Sequence, residues 1–198
     1  MEDLKKISVQ KNNDGTELDV FNPTPYKLIG KGLQGAVFKV SDDRCVKVYV
    51  DEKYCTMERN ALEAGQNSNI VPHMFEVGPN YIVMEYINGE SLRDYLEKYT
   101  TFPYSMTKRI LSLFHQMEKV GYKRIDANLR HIYVVNGGLK VIDHVNSLSI
   151  NRTAPIKFLK GLRKRRLMGS FLEQVKELDY ESYSKWKKAL REHYGIEY

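Results

Sequence analysis

The sequence feature that most constrains this chain is residues 121–145, which read G-Y-K-R-I-D-A-N-L-R-H-I-Y-V-V-N-G-G-L-K-V-I-D-H-V. Two short apolar runs flank an Asn-Gly-Gly sequence at positions 136–138. The glycines of such a turn adopt positive φ without a Cβ clash, so the pattern predicts a β-hairpin of strands 132–135 and 139–142. The hairpin would bring Asp126 and Asp143 to one end, close enough to share a metal ion or a phosphate.

The order of the other predicted elements indicates an α+β fold. Strands are expected at 26–30, 36–40, 45–50, 73–77 and 81–84, with one helix, 52–64, among them. Further helices are expected at 92–99, where Ser91 is a capping residue, and at 103–120, where Gly121 ends the helix. Only helices are expected after Asp143, and residues 1–20 are either a short hairpin or a loose leader. This order favours one domain of two lobes.

The composition is that of a globular protein of one domain. The chain has 198 residues, of which 42% are hydrophobic and 28% charged. No apolar run approaches the roughly 20 residues of a membrane span, and the N-terminus lacks the apolar core of a secretory signal. Cys45 and Cys55 form no C-x-x-C pair and are expected to be buried thiols. We therefore expect a cytoplasmic protein with no membrane partner.

The net charge of +6 lies entirely in the last quarter of the chain. Residues 150–198 hold 12 Lys and Arg against 6 Asp and Glu, and the rest of the chain holds 19 of each. The basic run at 157–166 favours either an acidic partner or an ordinary solvated helix face, and nucleic acid is not predicted as a partner.

A glycine-rich motif, G-K-G-L-Q-G, occupies residues 30–35. A dinucleotide-binding fold would need a helix directly after the glycines, and a Walker loop would need Gly-Lys-Ser or Gly-Lys-Thr at its end. Here an alternating strand follows instead. A glycine loop between two antiparallel strands is able to lie flat over phosphates.

Lys47 and a glutamate form a second candidate pair. Lys47 lies on the returning strand between Val46 and Val48, so its side chain points to the opposite face, where it could contact phosphate oxygens. Glu58 on the predicted helix could hold this lysine, and Glu63 competes for the same role. Lys47, Glu58 and Glu63 could each instead be an exposed surface residue without a role in binding.

Taken in order, six segments resemble the eukaryotic-like protein kinase core. They are G-K-G-L-Q-G-A-V-F-K-V, V-K-V, E-R-N-A-L, I-V-M-E-Y-I-N-G-E-S-L, D-A-N-L-R-H-I-Y-V and K-V-I-D-H-V, within about residues 26–149. The resemblance implies a two-lobed protein-kinase-like fold with a truncated helical C-lobe. Its lobes would be about 1–87 and 88–198 of a single domain 1–198, with the catalytic hairpin at 126–143.

The resemblance also implies roles for individual residues. Asp126 would orient the substrate hydroxyl and accept its proton, Arg130 would contact the transferred phosphate or the substrate, and Asp143 and His131 would bind Mg²⁺ or, alternatively, Mn²⁺. ATP would be surrounded by Gly30, Lys31, Gly32, Gly35, Val37, Lys47, Glu58, Glu85, Ile87 and Glu90. Lys47 would hold the phosphates, Glu85 and Ile87 would present backbone groups to the adenine, and Glu90 would reach the ribose.

The sequence departs from the family pattern in several places. The residues before Asp126 are Arg124 and Ile125 rather than His-Arg, and His131 replaces the asparagine that binds a second magnesium. D-F-G is replaced by D-H-V at 143–145, and no A-P-E segment follows. With 55 residues after Asp143, the chain resembles the minimal atypical kinases of the RIO kind, as a compact bacterial serine/threonine kinase would.

The expected activity is therefore transfer of the γ-phosphate of ATP to a serine or threonine of a protein, autophosphorylation included. One alternative is a pseudokinase, a nucleotide-binding or interaction module without catalysis, which the change to His131 favours. A second alternative is a small-molecule kinase, which the missing A-P-E segment allows.

Overall fold

The computed structural model describes residues 2–195, and within that range the chain is a mixed α/β protein. Two strands come first, β1 (Ser8–Lys11) and β2 (Leu18–Phe21), after a short 3-10 helix at Glu2–Lys6. A further eight strands follow in this part of the chain: β3 (Lys27–Gly32), β4 (Gly35–Lys39), β5 (Arg44–Tyr49), β6 (Met74–Val77), β7 (Tyr81–Glu85), β8 (Glu90–Ser91), β9 (Ile132–Val135) and β10 (Gly138–Val141).

Six α-helices are assigned between residues 2 and 195. They are α1 (Glu52–Gly65), α2 (Leu92–Tyr95), α3 (Tyr104–Lys119), α4 (Ile156–Lys164), α5 (Met168–Leu178) and α6 (Tyr180–Tyr194). Short 3-10 helices extend α2 at Leu96–Lys98 and precede β9 at Leu129–His131. Most strands precede most helices, which is compatible with the α+β class expected from the sequence.

The strands form three antiparallel sheets. The largest has the order β3-β4-β5-β7-β6, β1 pairs with β2, and β8, β9 and β10 form a third sheet in the order β10-β9-β8. The predicted hairpin is β9 and β10, and its turn places Asn136 at φ 46° and Gly137 at φ 78°. This is the left-handed backbone that Asn-Gly turns adopt.

Two apolar clusters lie on opposite faces of the five-stranded sheet. On one face, Val9 and Leu18 of the β1–β2 hairpin pack on Phe38, Val46 and Val48. The N-terminal segment is thus a packed hairpin rather than a loose leader.

The other face of the sheet joins a larger cluster that continues into the helices. Cys45 and Tyr49 of β5, Leu62 of α1 and Trp186 of α6 all belong to it. Lys47, which alternates with Val46 and Val48, lies on this second face.

The predicted helices agree with the structure to within a few residues at their ends. Ser91 caps α2 by accepting a hydrogen bond from the Asp94 N–H at 3.2 Å, and Gly121 follows α3 with φ 88°. The predicted domain 1–198 includes residues 1 and 196–198, which lie outside the described residues. Across residues 2–195, every helix falls short of the length and apolar character that crossing a bilayer requires.

Candidate functional site

A cleft of about 790 Å³ lies between the five-stranded sheet and the β9–β10 hairpin. One wall is the glycine-rich turn between β3 and β4. The floor carries Lys47 of β5, Glu58 of α1 and Asp143, which follows β10. Of the residues expected around a nucleotide, the cleft is lined by Gly30, Lys31, Gly32, Gly35, Val37, Lys47, Glu58, Glu85 and Ile87. Arg130, His131 and Asp143 also line it.

The glycine-rich turn is shaped by close packing at one of its three glycines. A Cβ atom at Gly35 would lie 2.4 Å from the Val48 carbonyl oxygen, so β4 approaches β5 more closely than any side chain would allow. A Cβ at Gly30 or Gly32 would meet no atom closer than 3.8 Å. The backbone of the turn is therefore open toward the cleft at Gly30 and Gly32.

Lys31 is bound by the N-terminal hairpin. Its ammonium donates a hydrogen bond to the Leu18 carbonyl at 3.1 Å and lies 3.8 Å from a Glu17 carboxylate oxygen. These contacts attach the glycine-rich turn to the β1–β2 hairpin.

A buried network surrounds Lys47 on the floor of the cleft. Its Nζ lies 2.5 Å from Glu58 Oε2 and 3.1 Å from Asp143 Oδ1. Glu58, which is only 1% exposed, also accepts hydrogen bonds from the Tyr49 hydroxyl and from the His144 backbone N–H, each at 2.9 Å. One glutamate on α1 thus connects β5 with the segment that follows β10.

The charges in this network stabilise one another. Burial disfavours the charged form of Lys47, but the carboxylates of Glu58 and Asp143 outweigh it and raise the pKa of this lysine. For Asp143, burial is likewise outweighed by Lys47 and His131, and its pKa is lowered. Lys47 and Asp143 are therefore both ionised at neutral pH.

The competing glutamate, Glu63, lies elsewhere. It is exposed on α1, and its carboxylate is 3.8 Å from Arg59 Nε, one turn away on the same helix. Glu58 is the glutamate of α1 that the fold places beside Lys47.

Asp143 and His131 lie together at the junction of the cleft with the hairpin. Asp143 has φ 69°, an uncommon backbone for a residue other than glycine. Its Oδ2 is 3.6 Å from His131 Nδ1, and the Nε2 of the same ring accepts a hydrogen bond from Arg130 Nε at 3.2 Å. Burial lowers the pKa of His131, so the ring is neutral at pH 7.

The tautomer of His131 decides what this ring can bind. A neutral imidazole that accepts at Nε2 carries its proton on Nδ1, and that N–H faces Asp143. In this arrangement both ring nitrogens face protein groups, Nδ1 facing Asp143 and Nε2 facing Arg130. Within the described residues, no three side chains of metal-ligating type lie close enough together to hold a metal ion by themselves.

Asp126 lies in a smaller cavity of about 210 Å³ beside the cleft. The two spaces share Arg130, His131, Ile142 and Asp143 in their walls. Asp126 is 3% exposed; its Oδ1 accepts a hydrogen bond from the Lys157 backbone N–H at the start of α4. Its Oδ2 is buried, has no hydrogen-bond partner, and lies 3.6 Å from Arg152 Nη1. Burial raises the pKa of this carboxyl group.

The last residue of β7, Glu85, and the residues that follow it form the far end of the cleft. Glu85 binds Lys140 of β10 through a carboxylate oxygen that also accepts a hydrogen bond from the His73 N–H at 3.0 Å. Tyr86 and Ile87 follow it in the cleft wall. Glu90 is not part of the lining, because it lies on β8 with its carboxylate 3.5 Å from Lys98.

Sequence reasoning missed four residues that the structure adds to the site: Tyr49, Lys140, His144 and Arg152. Strand alternation carried a signal for two of them. Tyr49 shares the face of Lys47, and Lys140 points away from its neighbours Leu139 and Val141. His144 acts through its backbone and Arg152 comes from a distant loop, so neither has a local signal.

The comparisons with known proteins include a partial similarity. No family model matches the sequence. The chain is 29% identical over 122 residues to a Bacillus subtilis (strain 168) protein named "Putative serine/threonine-protein kinase YrzF". The match covers 59% of this chain and 57% of that protein, so the chain spans little more than half the length of its relative. This similarity indicates a kinase-like relationship.

Proposed function

We propose that the protein is an ATP-dependent phosphotransferase that moves the γ-phosphate of ATP to a serine or threonine hydroxyl of a protein, itself included. The observation that carries the proposal is the contact of Lys47 with both Glu58 and Asp143 beneath a glycine-rich turn. A lysine fixed between two carboxylates at the floor of a cleft is suited to pairing with a polyphosphate. The partial similarity to a protein with a kinase name supports the same assignment.

The fold that we propose is a two-lobed protein-kinase-like domain of the minimal atypical kind. The five-stranded sheet with α1 would form the first lobe, about residues 1–87, and the helices with the β9–β10 hairpin the second, about 88–198. In this arrangement ATP would lie in the 790 Å³ cleft, with its adenine toward Glu85 and Ile87 and its phosphates toward Gly30, Gly32 and Gly35.

Transfer would depend on positioning and charge. The acceptor hydroxyl oxygen would form a bond to the γ-phosphorus while the bond from that phosphorus to the β–γ bridging oxygen breaks, so that ADP leaves. The hydroxyl proton would pass to the unpartnered Oδ2 of Asp126. Lys47 and Arg130 would stabilise negative charge on the phosphates, and Asp143 would hold the cation. When bound, Mg²⁺ or Mn²⁺ supplies neutralisation of the charge on the phosphates.

The side chain of His131 favours one competing function. With its Nδ1–H facing Asp143 and its Nε2 accepting from Arg130, this ring would add no metal ligand. A protein with a single carboxylate ligand could bind a nucleotide without transferring its phosphate, as a pseudokinase does.

We also infer a cytoplasmic location. Both cysteines are free and buried, and burial raises the pKa of Cys45 to about 12 and that of Cys55 to about 11. Such thiols are unreactive and form no disulfide, which is usual for proteins of a reducing compartment.

Transfer of labelled γ-phosphate from ATP tests the proposal. Wild type would be incubated with Mg²⁺ or Mn²⁺, with and without generic protein substrates, beside Asp143→Asn and a matched control, Asp42→Asn, at an exposed turn. We expect label with wild type and the control and none with Asp143→Asn. No label with either metal, together with a thermal shift on adding ATP, would instead identify a pseudokinase.

A further inference from the structure

The cavity that holds Asp126 is lined by more positive than negative side chains. Arg124, Arg130 and Lys157 line it together with Asp126 and Asp143. Within residues 2–195 none of these three cations forms a salt bridge, whereas Asp143 is paired with Lys47 and Asp126 lies near Arg152. The positive side chains that line the cavity therefore outnumber the negative ones.

Asp126, which lines this cavity, has a buried Oδ2 without a hydrogen-bond partner. A buried carboxylate oxygen without a hydrogen-bond partner is uncommon, and a donor that entered the cavity would satisfy it. The cavity joins the cleft at Arg130, His131 and Asp143. A hydroxyl group bound here would lie between Asp126 and the phosphate end of the proposed ATP site.

The positive charge continues beyond the cavity along α4. Lys157 and Lys164 lie seven residues apart, about two helical turns, which places them on one face of this helix. At 1.5 Å per residue they extend over about 10 Å. We term these residues the α4 lysine row. A molecule small enough to fill the 210 Å³ cavity would not contact the whole length of this row, whereas an extended chain would.

We propose that the acceptor is a peptide segment whose serine or threonine is flanked by anionic side chains, with the flank bound along the α4 lysine row. The proposal rests on the proposed function, and it adds the substrate class. Acidic residues or phosphorylated residues next to the hydroxyl both supply the anions. Arg124 and Lys157 would bind the anion nearest the hydroxyl, and Lys164 one farther along the chain.

Direct binding tests the surface without requiring transfer. The probes are short fluorescein-labelled peptides with a central serine flanked by glutamates, by glutamines or by phosphoserines, followed by fluorescence anisotropy at low and high salt. We expect the glutamate and phosphoserine peptides to bind more tightly than the glutamine peptide, by a margin that salt reduces. Stronger binding of the phosphoserine peptide would identify phosphorylated segments as the anion source.

Charge reversal on α4 locates the binding surface. Lys157→Glu and Lys164→Glu should each weaken binding of the glutamate peptide about fivefold to tenfold. Lys27→Glu is the matched control, since it makes the same charge change at an exposed lysine of β3 that lines neither cavity, and it should leave affinity within about twofold. Equal affinity for the glutamate and glutamine peptides, or equal losses in all three variants, would overturn the proposal.

Kinetics separate this proposal from the proposed function. In wild type we expect a higher kcat/KM for the glutamate peptide than for the glutamine peptide, and Lys164→Glu should bring that ratio toward one. Selective binding without any transfer would refute the phosphotransferase assignment and retain the acidic-peptide surface. Transfer without a preference for flanking acids would retain the enzyme and refute the surface.

Discussion

The two carboxylate oxygens of Asp126 have different surroundings. Asp126 caps the first turn of α4 through Oδ1, and it keeps Oδ2 buried without a partner. Burial raises its pKa, so the folded state binds a proton more tightly than the unfolded state does. The contribution of this group to stability is therefore highest below the unfolded pKa and is lost as the pH rises from the unfolded value through the folded one. At neutral pH the ionised group lowers the stability of the fold.

Asp126→Asn should therefore separate function from stability. The amide keeps an oxygen for the Lys157 N–H but removes the buried charge, so we expect a higher melting temperature at pH 7 and a smaller gain at pH 4. Phosphate transfer should fall by about 10² to 10⁴ because the proton acceptor is lost. Thermal unfolding at both pH values and labelled-phosphate transfer measure the two effects. Full transfer activity in this variant would remove Asp126 from the proposed mechanism.

A second residue-scale prediction concerns Glu58 and Glu63 of α1. Glu58→Gln removes the charge that pairs with buried Lys47 and should lower kcat/KM for ATP about tenfold to a hundredfold, since a hydrogen bond to a charged group contributes about 1.5–3 kcal/mol. Glu63→Gln, the matched control, changes an exposed pair with Arg59 and should stay within about twofold. Steady-state kinetics decide between them, and the reverse order of effects would transfer the anchoring role to Glu63.

The apolar pattern of α1 did not choose between these glutamates, and only the resemblance to the kinase core favoured Glu58. Both lie on one amphipathic helix, and the side that faces the sheet depends on how α1 packs. The same limit applies to the contact of Asp126 with Lys157, which joins residues 31 positions apart. Residue type and spacing identified Lys47, Asp126 and Asp143 as candidates in the sequence. The burial of these side chains and the distances between them are visible only in the folded chain.

At the scale of the elements, the sequence correctly predicted those turns and helix ends that depend on a few adjacent residues. The Asn-Gly turn of the β9–β10 hairpin, the Ser91 cap and the glycine after α3 depend on a few adjacent residues, and each occurs as predicted. Pairing of β8 with β9 was not predicted, because Glu90 and Ser91 form a two-residue strand without an apolar pattern. The parallel bridge between Arg124 and Arg152 likewise has no local signal.

The glycine-rich turn gives a prediction at this scale. Gly35→Ala would place a Cβ 2.4 Å from the Val48 carbonyl, so β4 and β5 must separate, and we expect a loss of about 1–3 kcal/mol in the free energy of unfolding. Gly32→Ala meets no atom within 4 Å and should change that free energy by less than about 0.5 kcal/mol. Urea unfolding of both variants compares them, and equal stabilities would contradict the close approach at Gly35.

For the whole molecule, the larger apolar cluster links the sheet to the helices. It contains Tyr49 and Cys55 beside the sheet and Trp186 in α6. The bond between Glu85 of β7 and Lys140 of β10 adds a polar connection between the same two regions. A continuous core of this kind favours cooperative unfolding.

We therefore predict a single unfolding transition for the whole chain. Trp186 fluorescence should report the helical region, and far-UV circular dichroism should report all elements together, with coincident midpoints in urea. ATP with Mg²⁺ should raise both midpoints equally if it binds in the cleft. Separate midpoints would indicate two regions that unfold independently and would argue against a single domain.

The position of α1 is fixed from several sides. Glu58 accepts hydrogen bonds from Lys47 and Tyr49 of the sheet and from the His144 N–H beyond β10. If α1 moved outward, the Tyr49 hydroxyl and the His144 N–H would both lose their acceptor, at a penalty of about 1–3 kcal/mol for each buried group. Control by displacement of this helix is therefore disfavoured. The phosphotransferase proposed above would therefore keep its site assembled, and its output would follow the supply of nucleotide and acceptor.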